Sequence, residues 1–179
     1  MINPNKANLK HILKDELPEK IFCDTNFFVS SILRYEIQKH NVCQEFIKKI
    51  IEKRVLVCFN TVVYYEVYIA FLNNVLERAK RSKKLHITQP EVLEPYLKVV
   101  ASDYERFITL LKGLWLMEFK VSDINIFNCI AKAQVEHRLH IADAFHLGTM
   151  LFTGENNLVS FDKHDFGNIP NINLWCEYD

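Results

Sequence analysis

Short apolar runs and longer stretches of helical periodicity alternate along the chain. Residues 20–24 (KIFCD), 54–59 (RVLVCF), 114–119 (LWLMEF), 157–162 (NLVSFD) and 173–176 (NLWC) are brief, rich in β-branched and aromatic residues, and read as strands. Between them apolar positions recur three and four apart. Phe46, Ile47, Ile50 and Ile51 do so in 43–53, and the stretch VVYYEVYIAFLNNVLERAK after Asn60-Thr61 does so at greater length. The segment FFVSSILRYEIQKH, residues 91–112, 122–137 and 140 to about 154 also predict helices. Strands separated by helices predict a three-layer α/β/α fold around a central, mostly parallel sheet of four to five strands. Residues 7–17 place Leu9, Ile12, Leu13 and Glu16 at helical spacing, so a short helix is expected within an N-terminal extension, 1–19, ended by Pro18. The run 173–176 is expected at a sheet edge. The length suits one domain, 1–179, with a core of about 20–176.

Four carboxylates interrupt this pattern. Asp24 ends the first strand and precedes a helix, where a carboxylate also serves as an ordinary cap. Glu66 has Val62, Val63, Ile69 and Ala70 as its helical neighbours, so it lies on an apolar face. An ionised group there costs several kcal/mol unless a core Arg or Lys, or a bound cation, answers it. Asp143 sits in the first turn of its helix, which the macrodipole alone could explain. Asp162 closes the run NLVSF in ordinary turn composition.

Taken together, the four are more informative. In a parallel sheet the strand ends and the following helix starts share one edge, so these acids would converge on one crevice. Carboxylates that close need a counter-charge, and Mg²⁺ or Mn²⁺ prefers such oxygens. A cation held this way can activate water and neutralise a phosphodiester.

Composition adds constraints. Lys+Arg and Asp+Glu are both 22, so bulk charge does not draw the chain to nucleic acid. One basic cluster, RAKRSKKLHITQP at 78–90, reads as a solvated helix end or as a phosphate or partner surface. It lies in a long helical segment, 73–113. Five dispersed cysteines without a Cys-x-x-Cys pair read as buried free thiols in a reducing cytoplasm. No apolar run is long enough to span a bilayer, and the first twenty residues lack a signal-peptide core.

The motifs then resemble a known family. Apolar strand–Asp24-Thr25-Asn26 is followed by Glu66 on a helix. Next come Ile141-Ala142-Asp143-Ala144-Phe145-His146-Leu147 and Leu158-Val159-Ser160-Phe161-Asp162-Lys163-His164-Asp165-Phe166. This order resembles PIN domains, including ribonuclease toxins of VapC type. The resemblance implies a metal-dependent endoribonuclease. Asp24, Glu66, Asp143 and Asp162 would be metal ligands and water activators, Asp165 an auxiliary acid, and Thr25, Asn26 and Ser160 supporting groups. It also implies a small antitoxin partner and a homodimer. With RNA as substrate, Lys80, Arg81, Lys83 and Lys84 are the candidate contacts. The 73–113 segment is long for a minimal member.

Two other readings remain open. The same fold could serve as a catalytically inactive module that binds RNA or protein. Alternatively His137, His140, Asp143 and His146 suggest a zinc site. Steps of three drift around a helix, so that set cannot share one face, and His146 is expected to be a packed or supporting residue.

Overall fold

The computed structural model describes residues 6–34, 36–81, 90–122 and 124–177, with backbone alone for residues 90–93. Six strands form one sheet: β1 (Asn8–His11), β2 (Lys20–Cys23), β3 (Leu56–Asn60), β4 (Leu116–Phe119), β5 (Asn157–Val159) and β6 (Asn173–Cys176). Their spatial order is β1-β6-β5-β2-β3-β4, and every pairing is parallel.

The pleat sorts side chains between two cores, as a period of two requires. Ile21 and Cys23 of β2, Val57 and Phe59 of β3 and Val159 of β5 enter one. Phe22, Cys58 and Leu158 enter the other. Helices α1 (Thr25–Ile32), α2 (Ile37–Lys53), α3 (Val62–Arg81) and α4 (Pro90–Lys112) cover the first face. Helices α5 (Ile124–His137) and α6 (Ile141–Phe152) cover the second, with the single turn α7 (Lys163–Phe166). This is the expected three-layer arrangement, with more strands and a uniformly parallel sheet.

The topology places the site. From β2 the chain steps outward to β3 and then β4. It then returns through α5 and α6 to β5, on the opposite side of β2. The order therefore reverses between β2 and β5, and such a reversal opens a crevice at the carboxyl ends of the strands. Cys23 pairs with Val159 there, so Asp24 and Ser160 leave the sheet side by side.

Three local expectations need correction. Residues 7–17 are not helical. Asn8–His11 form β1 against β6, and residues 12–15 make a turn in which the Asp15 carboxylate accepts from the His11 N–H. The open edge of β6 offers backbone partners that an isolated helix lacks: Asn8 N–H donates to Ile172 and Ile12 N–H to Cys176. Consequently β6 is interior and β1 takes the edge. The segment after Asn26 is also two helices. Leu33 is extended, and side chains of α2 meet the last carbonyls of α1, with Gln44 Nε2 donating to the Ser31 carbonyl at 2.7 Å.

Helices α5 and α6 cross very closely. A Cβ on Gly148 would lie 2.5 Å from Ile130 Cα, too near for any side chain. Cys23, Cys43, Cys58 and Cys176 are buried free thiols and Cys129 is half-buried, and burial pushes Cys43 up to about 12.

Candidate functional site

Asp24 follows β2 and caps α1. Its Oδ1 accepts from the Thr25 N–H at 2.6 Å, and its Oδ2 accepts from Ser160 Oγ at 2.8 Å. Only 4% of the residue is exposed. Burial pushes its carboxyl above the usual range, while His146, Ser160 and Thr25 pull it down.

Ser160 and Asn26 tie the two strand ends together. Asn26 Nδ2 donates to Ser160 Oγ at 3.0 Å, and Asn26 Oδ1 accepts from the Phe161 N–H at 3.1 Å. Ser160 Oγ also accepts from the Asp162 N–H at 3.0 Å. β5 ends at Val159, so Asp162 is not its last residue; it caps α7, with Oδ1 accepting from the Asp165 N–H at 3.0 Å.

Glu66 occupies the second turn of α3. Its Oε2 accepts from Thr25 Oγ1 at 2.6 Å and from His146 Nε2 at 2.8 Å. Burial would raise this carboxyl, but the His146 bond, the His146 charge and the Thr25 bond together hold it below its ordinary value. The counter-charge that the apolar helix face demanded is thus a histidine from α6 rather than an Arg or Lys.

His146 is 1% exposed, and its Nε2 also lies 3.3 Å from Asp24 Oδ1. Burial alone would lower its pKa. The Glu66 bond, then the charges of Asp24, Glu66 and Asp143, outweigh that and raise it. On the other side of the ring, Nδ1 lies 3.3 Å from Asn60 Nδ2. Asn60, fully buried at the end of β3, accepts from the Val62 N–H and donates to the Phe145 carbonyl at 3.1 Å. One amide therefore fixes the start of α3 and the turn of α6 that carries His146. Asn60 directly precedes the long helix in the sequence, where it can serve as a cap; its grip on α6 follows only once strand order is known.

Asp143, in the first turn of α6, makes no hydrogen bond among the described residues. Burial pushes its carboxyl up to about 6, and the nearby charges of Asp24, Asp165 and Asp162 add to the rise, with His146 opposing. Asp24, Asp162 and Asp165 therefore act on Asp143, and Glu66 acts on Asp24, at the carboxyl ends of the strands.

These oxygens suit a hard divalent cation. The fit is best at Asp143 and Asp162, with Asp165 beside Asp162, because the Asp143 carboxylate has other carboxylates around it and no hydrogen-bond partner among the described residues. Asp24 and Glu66 are already engaged: both Asp24 oxygens accept hydrogen bonds, from Thr25 and Ser160, and Glu66 Oε2 serves Thr25 and His146. The quartet is not drawn tight. Among the described residues, the one His/Cys/Asp/Glu group with ligand atoms all within 4.8 Å is Asp162, His164 and Asp165. His137, His140, Asp143 and His146 do not form such a group.

The described part of the basic cluster, Lys80 and Arg81, does not join the site. Lys80 and Arg81 end α3, about 20 Å along the helix axis from Glu66, and Lys80 pairs with Glu77 at 3.0 Å. Lys83 and Lys84 lie outside the described residues.

No protein-family model matches the chain, and no curated protein matches it in sequence. Among solved structures, a chain of a toxin–antitoxin complex from Klebsiella pneumoniae is similar over 85% of this chain and 94% of that one, with 15% identity and a TM-score of 0.48. Among the described residues no helix is long and apolar enough to cross a membrane.

Proposed function

We propose that the chain is a PIN-type endoribonuclease that hydrolyses RNA phosphodiester bonds with Mg²⁺ or Mn²⁺. The observation that carries this reading is Asp143: a partnerless carboxyl, raised to about 6, with Asp24, Asp162 and Asp165 as charged neighbours at the switch point of a parallel sheet. The resemblance of the motifs to PIN domains supplies the substrate class.

A bound divalent cation would supply counter-charge to the acids and polarise water and phosphate for in-line displacement. The side chains provide the rest. Asp24 and Asp143 would present oxygens to the cation, and Ser160 and the Thr25 N–H hold Asp24 in place. Asp162, with Oδ1 occupied by the Asp165 N–H, keeps Oδ2 to accept a proton from the attacking water. His146 and Thr25 fix Glu66 behind them.

A labelled RNA incubated with the purified chain tests this. Cleavage should need Mn²⁺ or Mg²⁺ and should fall about a hundredfold or more in Asp24→Asn and Asp143→Asn. Undiminished cleavage in excess EDTA, or by Asp24→Asn, ends the reading. A cognate antitoxin and a homodimer belong to the same proposal. Growth arrest on expression, relieved by a neighbouring small gene, and a doubled mass in light scattering are their expected signatures.

One observation favours a binding module without turnover. His146 already neutralises Asp24 and Glu66 in part, so the crevice is not wholly dependent on a cation. Neither cleavage nor metal uptake would then be measured.

A further inference from the structure

A cleft of about 540 Å³ opens beside Asp162, between the start of α2 and the turn from β5 to α7. Asn26 and Asp162 form the wall it shares with the acid crevice; Phe161, Lys39 and Lys163 line the rest. Its volume suits one nucleotide unit, within the range of small-ligand sites of about 300–1,000 Å³. We propose that this cleft is a nucleotide subsite for single-stranded nucleic acid, adjoining the scissile position. It rests on the ribonuclease reading above and specifies where that substrate lies.

Three observations point to this occupant. First, the Phe161 ring is only half-buried although it packs on the core, and it forms part of the cleft surface. An aromatic face of that kind takes a base of any sequence by stacking. Its position is fixed, because the Phe161 N–H is held by Asn26 Oδ1 at 3.1 Å. Second, Lys39 Nζ stands over the ring, 5.9 Å from its centroid, on a flexible stem that a stacking base can displace toward its own phosphate. That is the combination a base and its own phosphate require. Third, Asn26 and Asp162 connect the cleft directly to Asp24 through Ser160, so a strand seated on Phe161 leads its next phosphodiester toward the acids.

The lining also carries acids, of which Glu36 is charge-paired. Glu36 pairs with Lys39 at 2.6 Å, and Glu177 accepts from Gln38 at 3.2 Å. Asp162 faces the crevice proposed to hold the cation. Lys163 and His164 add donors on the α7 side. Lys80 and Arg81 at the end of α3 are remote by comparison, about 20 Å along the helix axis from Glu66.

The test measures binding apart from cleavage. A fluorescein-labelled ribo-oligonucleotide is titrated with the full chain in Ca²⁺, and anisotropy gives Kd across a salt series. Phe161→Leu keeps the apolar bulk and removes the stacking face; Kd should rise about tenfold. Phe161→Trp should retain wild-type affinity. Lys39→Gln, at an exposed position, should reduce the slope of log K against log salt by about 0.7. Thermal melts of each variant confirm folding, and metal-dependent cleavage by the wild type is followed in parallel. Unchanged Kd in Phe161→Leu and unchanged slope in Lys39→Gln overturn the subsite while cleavage by the wild type leaves the ribonuclease reading intact. Absence of cleavage by the wild type removes that reading, and absence of oligonucleotide binding removes both.

Discussion

His146 Nε2 lies 2.8 Å from Glu66 Oε2, joining helices on opposite faces of the sheet across 80 positions of chain. The contact passes over the carboxyl ends of the strands, beside Asp24. His146→Leu therefore strands two carboxylates at once. Unfolding in urea should show a loss of about 2–4 kcal/mol, the lower part of the range reflecting the partial exposure of Glu66. His146→Gln, which keeps a donor, should recover a good part of that loss. Equal stability of His146→Leu and the wild type would mean that this contact does not hold the two layers together.

The same contact sets a pH window for the metal-free protein. The folded pKa of His146 is raised, so its contribution is complete below its ordinary value of about 6.5 and disappears as pH rises through the folded value. The folded pKa of Glu66 is lowered, so its contribution is complete above its ordinary value and disappears as pH falls through the folded value. Stability from the pair should thus decline on both sides of mildly acidic pH. A pH series of urea midpoints should lose this curvature in His146→Leu.

Asp143 titrates in the opposite sense from Glu66. A carboxyl raised to about 6 favours the fold while protonated, and the benefit is lost as pH rises from its ordinary range through about 6. In EDTA, Asp143→Asn should stabilise the protein at pH 8 and leave it unchanged near pH 4. Adding Mn²⁺ at pH 8 should raise the melting temperature of the wild type by more than that of Asp143→Asn. The reverse order of those two shifts would remove Asp143 from the cation-binding set.

Gly148 links packing to the site. A methyl group there would meet backbone atoms of Ile130 at 2.5 and 2.6 Å, and backbone cannot step aside. Gly148→Ala should cost about 1–3 kcal/mol in unfolding experiments. Because α6 carries both Asp143 and His146, the variant should also bind Mn²⁺ more weakly. An unaltered melt would show that α5 and α6 have room the close approach denies them.

Alternating strand and helix patterns were enough to anticipate the layers, the strand near Asp24 and the long helix carrying Glu66. The predicament of Glu66 was also legible: an apolar helix face demanded a counter-charge. Its identity was not, because His146 reaches it only through the reversal of strand order between β2 and β5, a property of the whole topology. Asn60 was hidden for the same reason, since a helix cap and a grip on another helix look alike in a sequence. β1 was misread because Leu9, Ile12 and Leu13 satisfy a helical spacing, while the open edge that recruits the strand belongs to β6, in the last few residues described. Asp24, Asp143 and Asp162 could be singled out because each sits at a strand end or a helix start; the charge coupling among them is what three dimensions added.

The β1–β6 pairing has a consequence for synthesis. Asn8 and Asn173 face each other across a separation of 165 residues. During translation β1 waits for its partner until about 165 further residues have been made. The pairing of β2 with β3 needs no such wait. An unpaired strand is open to other partners while it waits. The polar side chains Asn8, Lys10 and His11 within β1 make it a poor template for aggregation, so the delay is tolerable.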